Sequence, residues 1–253
     1  MLSKRTDEAV VLRVSDYSES SQIVSLLTAG SGLVRLIAKG ARRGTKTRFS
    51  AGIDLLEHGT VTFVPAHGDA GLGNLAEWAQ RDAFAVVRTD LRSLYAAMYA
   101  VELVPPLTED YDPHPGLFEG LLILLRGLAD PPQPLGAAAA DRRAAVVAAV
   151  LRFQVRLLNE IGLMPRLTEC VECRRPAGGG AGAYFSASAG GLLCRDCEMH
   201  HADKRRVPPG VLSRGGGLCV TVGAVELLNG YLMHVANRRF ESYGPLQGLL
   251  RER

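Results

Sequence analysis

Apolar residues in the first 80 positions fall into five short runs that are typical of β-strands. The runs are rich in Val, Ile and Leu, and turn-forming residues such as Ser15-Asp16 and Gly30-Ser31-Gly32 separate them. The five runs are Glu8 to Val14, Ser21 to Leu27, Gly32 to Ala38, Gly59 to Val64 and Gly73 to Trp78. Five short strands in this length predict a small barrel such as the OB-fold, because a closed sheet has no free edge.

Beyond residue 81 the apolar residues recur at helical spacing. Leu91, Leu94 and Met98 lie three and four positions apart, in a segment that ends at Pro105. Further helices are predicted at about residues 115–128, 141–161 and 224–238, and Gly162 is suited to cap the third predicted helix.

These patterns predict an α+β multidomain chain. The predicted parts are an OB-fold nucleic-acid-binding domain over residues 1–80, a helical domain over 81–165, a four-cysteine zinc module over 166–203 and the second part of the helical domain over 204–253. The zinc module is therefore an insertion in the helical part of the chain.

Composition indicates a folded, cytoplasmic protein. Hydrophobic residues make up 47% of the 253 positions and charged residues 22%, which is ordinary for a soluble globular chain. The first ten residues lack the apolar core of a secretory signal. The most apolar run, Leu117 to Leu128, contains Glu119 and Arg126 and is too short to span a bilayer.

Four of the five cysteines form two C-x-x-C pairs, Cys170 with Cys173 and Cys194 with Cys197, and 20 residues separate the pairs. In a reducing cytosol such pairs are more often metal ligands than disulfides. Two pairs complete the tetrahedron that Zn²⁺ prefers and leave no position open for water. The spacing predicts one structural zinc ion; four free or partly oxidised thiols are the alternative.

Charge is segregated along the chain, although the net charge is only +3. Residues 1–50 hold nine Lys or Arg against four Asp or Glu, a net charge of +5. Residues 51–130 hold four against twelve, a net of −8, and residues 131–253 hold sixteen against ten, a net of +6. Two basic ends around an acidic middle suggest that the ends meet a polyanion.

The densest basic segment lies between the third and fourth predicted strands. Clustered cations suit nucleic-acid phosphates, because counterion release drives binding. Aromatic residues that could stack on bases are sparse nearby, with Tyr17, Phe49 and Phe63 as the candidates. A solvated loop is the alternative interpretation. The predicted DNA-binding residues are Arg35, Lys39, Arg42, Arg43, Lys46 and Arg48.

Catalytic signatures are missing from the sequence. It has no P-loop, no H-E-x-x-H motif and no nucleophile elbow, so we expect a protein that is not an enzyme. Glu109, Asp110 and Asp112 could bind a divalent ion, but a solvated loop is the more ordinary interpretation of this cluster.

Three stretches of the sequence resemble the bacterial recombination mediator RecO family. They are VVLRVSDYSESSQIVSLLTAGSGLVRLIAKGARR from Val10 to Arg43, LLNEIGLMPRLTECVEC from Leu157 to Cys173 and FSASAGGLLCRDC from Phe185 to Cys197. The chain departs from the usual zinc knuckle at Arg174, where glycine is common. Some members of the family lack the cysteines, which implies that zinc supports the fold and is not required for activity.

The resemblance implies a mediator of DNA repair and homologous recombination. Such proteins bind single- and double-stranded DNA, anneal complementary strands and work with RecR to load recombinase on DNA coated by single-strand-binding protein. It also implies that the helical domain receives the acidic, apolar C-terminal tail of the single-strand-binding protein. The candidate residues for that contact are Arg142, Arg152 and Arg156.

Two other functions are compatible with the same residues. A zinc-ribbon OB-fold protein could bind RNA or assemble with transcription or ribosome factors. A nuclease or other DNA-processing enzyme is the third possibility, and the missing catalytic motifs argue against it.

Overall fold

The computed structural model of the chain describes residues 3–41, 53–66, 71–130, 139–176, 182–213 and 217–252. Two compact units divide the chain, residues 1–130 and residues 131–253. None of the helices in the described ranges is both long enough and apolar enough to cross a membrane.

Five strands close into a barrel in the first unit. The strands are β1 (Arg5–Asp16), β2 (Gln22–Thr28), β3 (Gly32–Ala38), β4 (His58–Val64) and β5 (Gly73–Asp82). β1 pairs with both β2 and β4, and a short parallel contact between β3 and β5 completes the ring. The order β1-β2-β3-β5-β4 is that of an OB-fold, so the predicted fold is confirmed.

Successive side chains along each strand point alternately into and out of the barrel. The inward ones fill its core, and some of the outward ones are polar. On β3, Val34 and Leu36 are fully buried while Arg35 between them is exposed. Phe63 and Trp78 are the bulkiest side chains in the core. The interior is therefore packed, and any ligand of the barrel must meet its outside.

Two helices cover part of the barrel exterior. α1 (Leu91–Leu103) follows a short 3₁₀ turn and packs against β1, and α2 (Pro115–Ala129) packs against β2. Asp90 caps α1 by accepting a hydrogen bond from the Ser93 amide at 3.0 Å. The sequence predicted α2 to within one residue at each end, and the segment predicted to stop at Pro105 contains α1, which ends at Leu103.

The segment between α1 and α2 is joined to the start of β3. The Tyr111 amide donates to the Leu33 carbonyl at 2.9 Å, and the Tyr111 hydroxyl accepts from the Ala66 amide at 3.1 Å. Gly32 has a φ of +71°, and a Cβ at this position would lie 2.1 Å from the carbonyl oxygen of Asp112. Only glycine permits this approach, so residues 110–112 pack directly against the Gly30-Ser31-Gly32 turn.

The second unit combines helices with a small three-stranded sheet. Its elements are α3 (Ala139–Glu160), β6 (Tyr184–Ser186), β7 (Gly191–Leu193), β8 (Arg205–Arg206), α4 (Val222–Val235) and α5 (Tyr243–Arg251). The sheet order is β7-β6-β8. α4 packs against α3 and α5, and the buried Gln154 donates to the Val225 carbonyl at 3.2 Å.

The predicted helix ends in this unit are close to the observed ones. Gly162 has a φ of +70° and its amide donates to the Asn159 carbonyl, which confirms it as the cap of α3. α5 was not predicted, because Gly244, Pro245 and Gly248 weaken its helical pattern. The proposed domain limits at residues 80, 165 and 203 stay predictions.

Candidate nucleic-acid interface and metal centre

The four predicted cysteine ligands lie together in the second unit. The sulfur atoms of Cys170, Cys173, Cys194 and Cys197 all lie within 4.8 Å of one another, and the Cys173 and Cys194 sulfurs are 3.7 Å apart. Sulfurs about 2.3 Å from a tetrahedral ion are separated by about 3.8 Å, so the cluster has the size of a four-thiolate metal site. Cys219 lies outside the cluster, as the sequence predicted.

Backbone hydrogen bonds hold each cysteine pair in a tight turn. The Arg174 amide donates to the Cys170 carbonyl at 3.0 Å, and the Glu198 amide donates to the Cys194 carbonyl at 3.0 Å. The Val171 amide donates to the Leu192 carbonyl at 2.8 Å, which joins the first turn to β7. The β6-β7 hairpin therefore brings two sequence-distant pairs to one point.

The electrostatics of the cluster favour a bound cation. Burial opposes ionisation of Cys170, but backbone amides of Cys173, Cys194 and Glu172 outweigh it and lower the pKa of this thiol to about 6. Hydrogen bonding with Cys194 is the main cause that raises the pKa of Cys197. A group of close thiols resists full ionisation without a cation, and a metal ion removes that resistance.

Arg174 and two histidines lie next to the cysteine cluster. Arg174 has a φ of +64°, which is the left-handed conformation that glycine adopts most easily. His200 and His201 both contact the Glu172 carboxylate, at 3.3 and 2.8 Å. Donation by His201, and then by His200, holds the pKa of Glu172 below its ordinary value.

Two of the six predicted DNA-binding residues lie in the described part of the chain. Arg35 is on the outer side of β3, and Lys39 is exposed directly after that strand. Arg42, Arg43, Lys46 and Arg48 lie outside the described residues. Their part in the interface stays a prediction.

Strand register reveals a further cation beside Arg35. Arg13 on β1 is opposite Ser25 on β2, and Ser25 is opposite Arg35 on β3. Directly paired residues project from the same side of a sheet, so these three side chains form one row across the barrel exterior. Simple alternation from the buried Val11 would have turned Arg13 inward, but a bulge between Val11 and Arg13 shifts the register.

The same exterior has few aromatic groups. Tyr17 has 61% of its surface exposed, whereas Phe63 is fully buried in the core and cannot stack on a base. Phe49 lies outside the described residues. In the next row of the sheet, Ile23 pairs with Ile37 and both are half-buried. This surface suits contact with a charged backbone more than base recognition.

One acidic residue already contacts the basic row. The Arg35 guanidinium lies 3.4 Å from the Asp110 carboxylate, and the two side chains are 47% and 30% exposed. Asp112 instead lies 3.2 Å from the His114 ring. In the described ranges the cysteines form the one cluster suited to a metal ion, so the acidic segment at 109–112 is not arranged as a cation site.

The three arginines predicted for partner binding are distributed along α3. Arg152 is exposed, and Arg156 lies one turn further on the same face. Arg142 lies ten residues before Arg152, about 15 Å along the helix axis. Only Arg152 and Arg156 are therefore neighbours.

Comparison with known proteins identifies the family of the chain. The family model described as "Recombination protein O N terminal" matches residues 1–84, and "Recombination protein O C terminal" matches residues 88–214. The chain is 34% identical to a DNA repair protein RecO of Anaeromyxobacter sp. strain K, over 94% of this chain and 96% of that protein. It is 30% identical to DNA repair protein RecO of Myxococcus xanthus, over 95% and 96% of the two chains. The chain belongs to the recombination protein O family of DNA repair proteins.

Proposed function

We propose that this protein is a recombination mediator that binds single- and double-stranded DNA and anneals complementary strands. It also helps to load recombinase on single strands coated with protein. The observation that carries the proposal is the row of Arg13, Ser25 and Arg35 on the exterior of an OB barrel, in a chain that belongs to a family of DNA repair proteins.

Annealing by this mechanism breaks and forms no covalent bond, so the protein acts without being an enzyme. Two complementary strands repel each other through their phosphates, and arginines that displace counterions reduce this repulsion. Contacts to phosphate and sugar carry no sequence information, which leaves the bases free to pair. The few exposed aromatic groups near the row fit this role, because strong base stacking would hold the strands apart.

The proposed protein partners are RecR and the C-terminal tail of the single-strand-binding protein. Arg152 and Arg156, together with Arg142 near the start of α3, form the proposed docking surface for that acidic, apolar tail. We propose that the acidic segment from 51 to 130 either does not contact DNA or contacts RecR. The proposed place of action is the bacterial cytosol and nucleoid.

The proposed metal is a single structural Zn²⁺ ion held by Cys170, Cys173, Cys194 and Cys197. When bound, it would crosslink the two turns and neutralise the thiolates, and four sulfur ligands leave no position for substrate. The residues themselves join the β6-β7 hairpin to the segment after α3.

The test of the proposed function is annealing of complementary DNA strands coated with single-strand-binding protein, with and without RecR. The Arg13→Ala/Arg35→Ala variant should lower the logarithmic salt dependence of single-strand binding by about 1.4, since each cation contributes about 0.7. Arg126→Ala, which removes an exposed arginine from α2, is the control. Wild-type protein that anneals no DNA and prefers RNA oligomers would favour the RNA-binding alternative.

The predicted basic segment is tested in the same way. Changing Arg42, Arg43 and Lys46 together to Ala should weaken binding and lower the salt dependence by about 2. Unchanged affinity would place the DNA-binding surface elsewhere.

A further inference from the structure

A concave groove lies within the second unit, between the small sheet and α4. Its volume is about 570 Å³, which is in the range of pockets that hold a ligand. One face of α4 forms its floor, because Gly223, Leu227, Gly230 and His234 recur at helical spacing. Phe185 and Tyr231 pack edge to face beneath it, with ring centroids 5.8 Å apart.

Arginines from two elements surround this groove. Arg205 and Arg206 come from β8, and Arg238 and Arg239 come from the turn after α4. All four are exposed. Arg205, Arg206 and Arg239 have no ion-pair partner within the described ranges, so their charge is available to a ligand.

The two carboxylates that line the groove are already engaged elsewhere. Asp203 accepts hydrogen bonds from the Ser186 hydroxyl at 2.7 Å and the Ser188 amide at 2.9 Å. Glu226 accepts from Arg251 at 2.7 Å and from the Gln247 amide group at 3.0 Å. These contacts do not involve Arg205, Arg206 or Arg239, which leaves the groove attractive to anions.

We infer that this groove binds a second single strand of nucleic acid while the barrel holds the first. The inference rests on the proposed annealing function and supplies the second phosphate-binding surface that annealing requires. Arginines on two elements can contact successive phosphates of a chain that crosses the groove. Leu227 and Met233 give the sugars and bases an apolar surface.

An acidic peptide with an apolar side chain is the competing occupant. A strand is favoured because it carries a phosphate at every nucleotide, which matches Arg205 and Arg206 on β8 and Arg239 after α4. A peptide with one anchoring side chain needs a deep apolar pocket, but the aromatic side chains here, Phe185 and Tyr231, are only 4% and 7% exposed.

Gly230 provides a way to close the groove without changing its charge. A Cβ added to Gly230 meets no atom within 4 Å, so a side chain can leave α4 here toward the groove without a clash at its base. Gly127 on α2 has the same open surroundings but lies in the other unit. Leucine adds an aliphatic side chain that carries no charge and does not stack on bases, so Gly230→Leu and Gly127→Leu are a matched pair.

The experiment measures two steps with full-length protein. The first is binding of one labelled 30-nucleotide strand, and the second is capture of a second, non-complementary strand by the preformed complex. Gly230→Leu should keep the first step within about twofold and reduce second-strand capture by about tenfold, with a parallel loss of annealing rate, because the added side chain narrows the groove. Gly127→Leu should behave as wild type in both steps. Arg205→Ala/Arg239→Ala should reproduce the Gly230→Leu result.

Three outcomes overturn the inference. Equal second-strand capture by Gly230→Leu and by wild type shows that the second strand binds elsewhere. A labelled Asp-Asp-Asp-Phe peptide that binds wild type but not Gly230→Leu, with strand capture unchanged, shows that the groove is a peptide site. Loss of the first step together with the second shows that one surface serves both strands. Wild-type protein that binds no strand at all would instead refute the proposed function.

Discussion

The Arg35 guanidinium and the Asp110 carboxylate lie 3.4 Å apart on the exterior of the barrel. Arg35 belongs to β3, whereas Asp110 lies 75 positions later in the segment between α1 and α2. A DNA phosphate that binds Arg35 must therefore compete with a carboxylate of the same protein. If the basic row binds DNA as proposed, this ion pair lowers the affinity of the row, because Arg35 is not an isolated cation.

Asp110→Asn should strengthen single-strand binding by about 1.4- to fivefold at low salt, since an exposed ion pair contributes about 0.2–1 kcal/mol. The gain should shrink at high salt because of screening. Fluorescence anisotropy with a labelled strand measures the change. Asp112→Asn removes the same charge from the same segment but contacts His114, so it is the control. Equal gains in both variants would show a general charge effect.

Cys170→Ser/Cys173→Ser should remove bound metal and lower the free energy of unfolding by about 2 kcal/mol or more. Elemental analysis and thermal denaturation measure the two effects. Affinity of the barrel for a single strand should stay within about twofold, because the cysteines belong to the other unit. Cys219→Ser should retain the metal. A wild-type protein that contains no zinc would contradict the proposed metal site.

Arg174→Gly should be more stable than Arg174→Ala by about 1 kcal/mol, because only glycine adopts the positive φ of this position without strain. Both variants lose the 3.1 Å contact between Arg174 and Glu169, so the comparison isolates the backbone. Chemical denaturation of metal-loaded protein provides the measurement. Equal stabilities would mean that the turn relaxes when the side chain is shortened.

Glu57→Gln should stabilise the protein at neutral pH. Burial is the main reason that the pKa of Glu57 lies above its ordinary value, so the folded state binds this proton more tightly than the unfolded chain does. The resulting stability is present at low pH and is lost as pH rises through the folded pKa. Glutamine can still accept the hydrogen bond that Trp78 donates to this side chain at 3.1 Å.

Thermal unfolding from pH 8 down to about pH 4 tests this prediction, because the gain should shrink as the wild-type carboxyl becomes protonated. Glu77→Gln, an exposed change on β5, is the control. A gain that stays constant with pH would point to packing and not to charge.

Local patterns in the sequence predicted the elements of the fold well. Turn residues on both sides of β3 predicted its ends at Gly32 and Ala38 as observed, and the two C-x-x-C pairs predicted the four-sulfur cluster. Both depend on residues that are neighbours along the chain or on the fixed spacing of metal ligands.

Features that depend on long-range pairing could not be predicted in this way. Arg13 joins the basic row only because a bulge changes the alternation of β1, and no residue type marks that bulge. Asp110 meets Arg35 only because residues 110–112 return to the barrel over Gly32. The sequence therefore predicted DNA-binding residues from charge alone, and it identified neither Arg13 nor Asp110 as part of that surface.

The return of residues 110–112 to Leu33 has a consequence for how the chain can be divided. A fragment that stops at residue 84, where the N-terminal family model ends, would contain all five strands but would lose the backbone partner of Leu33 and the hydroxyl that binds Ala66. The apolar side chain of Leu33 is fully buried in the whole protein, and in the fragment it would lie beside a carbonyl open to a new backbone donor. We expect such a fragment to self-associate through this edge. The smallest fragment of the barrel that stays monomeric should therefore include the residues up to 130.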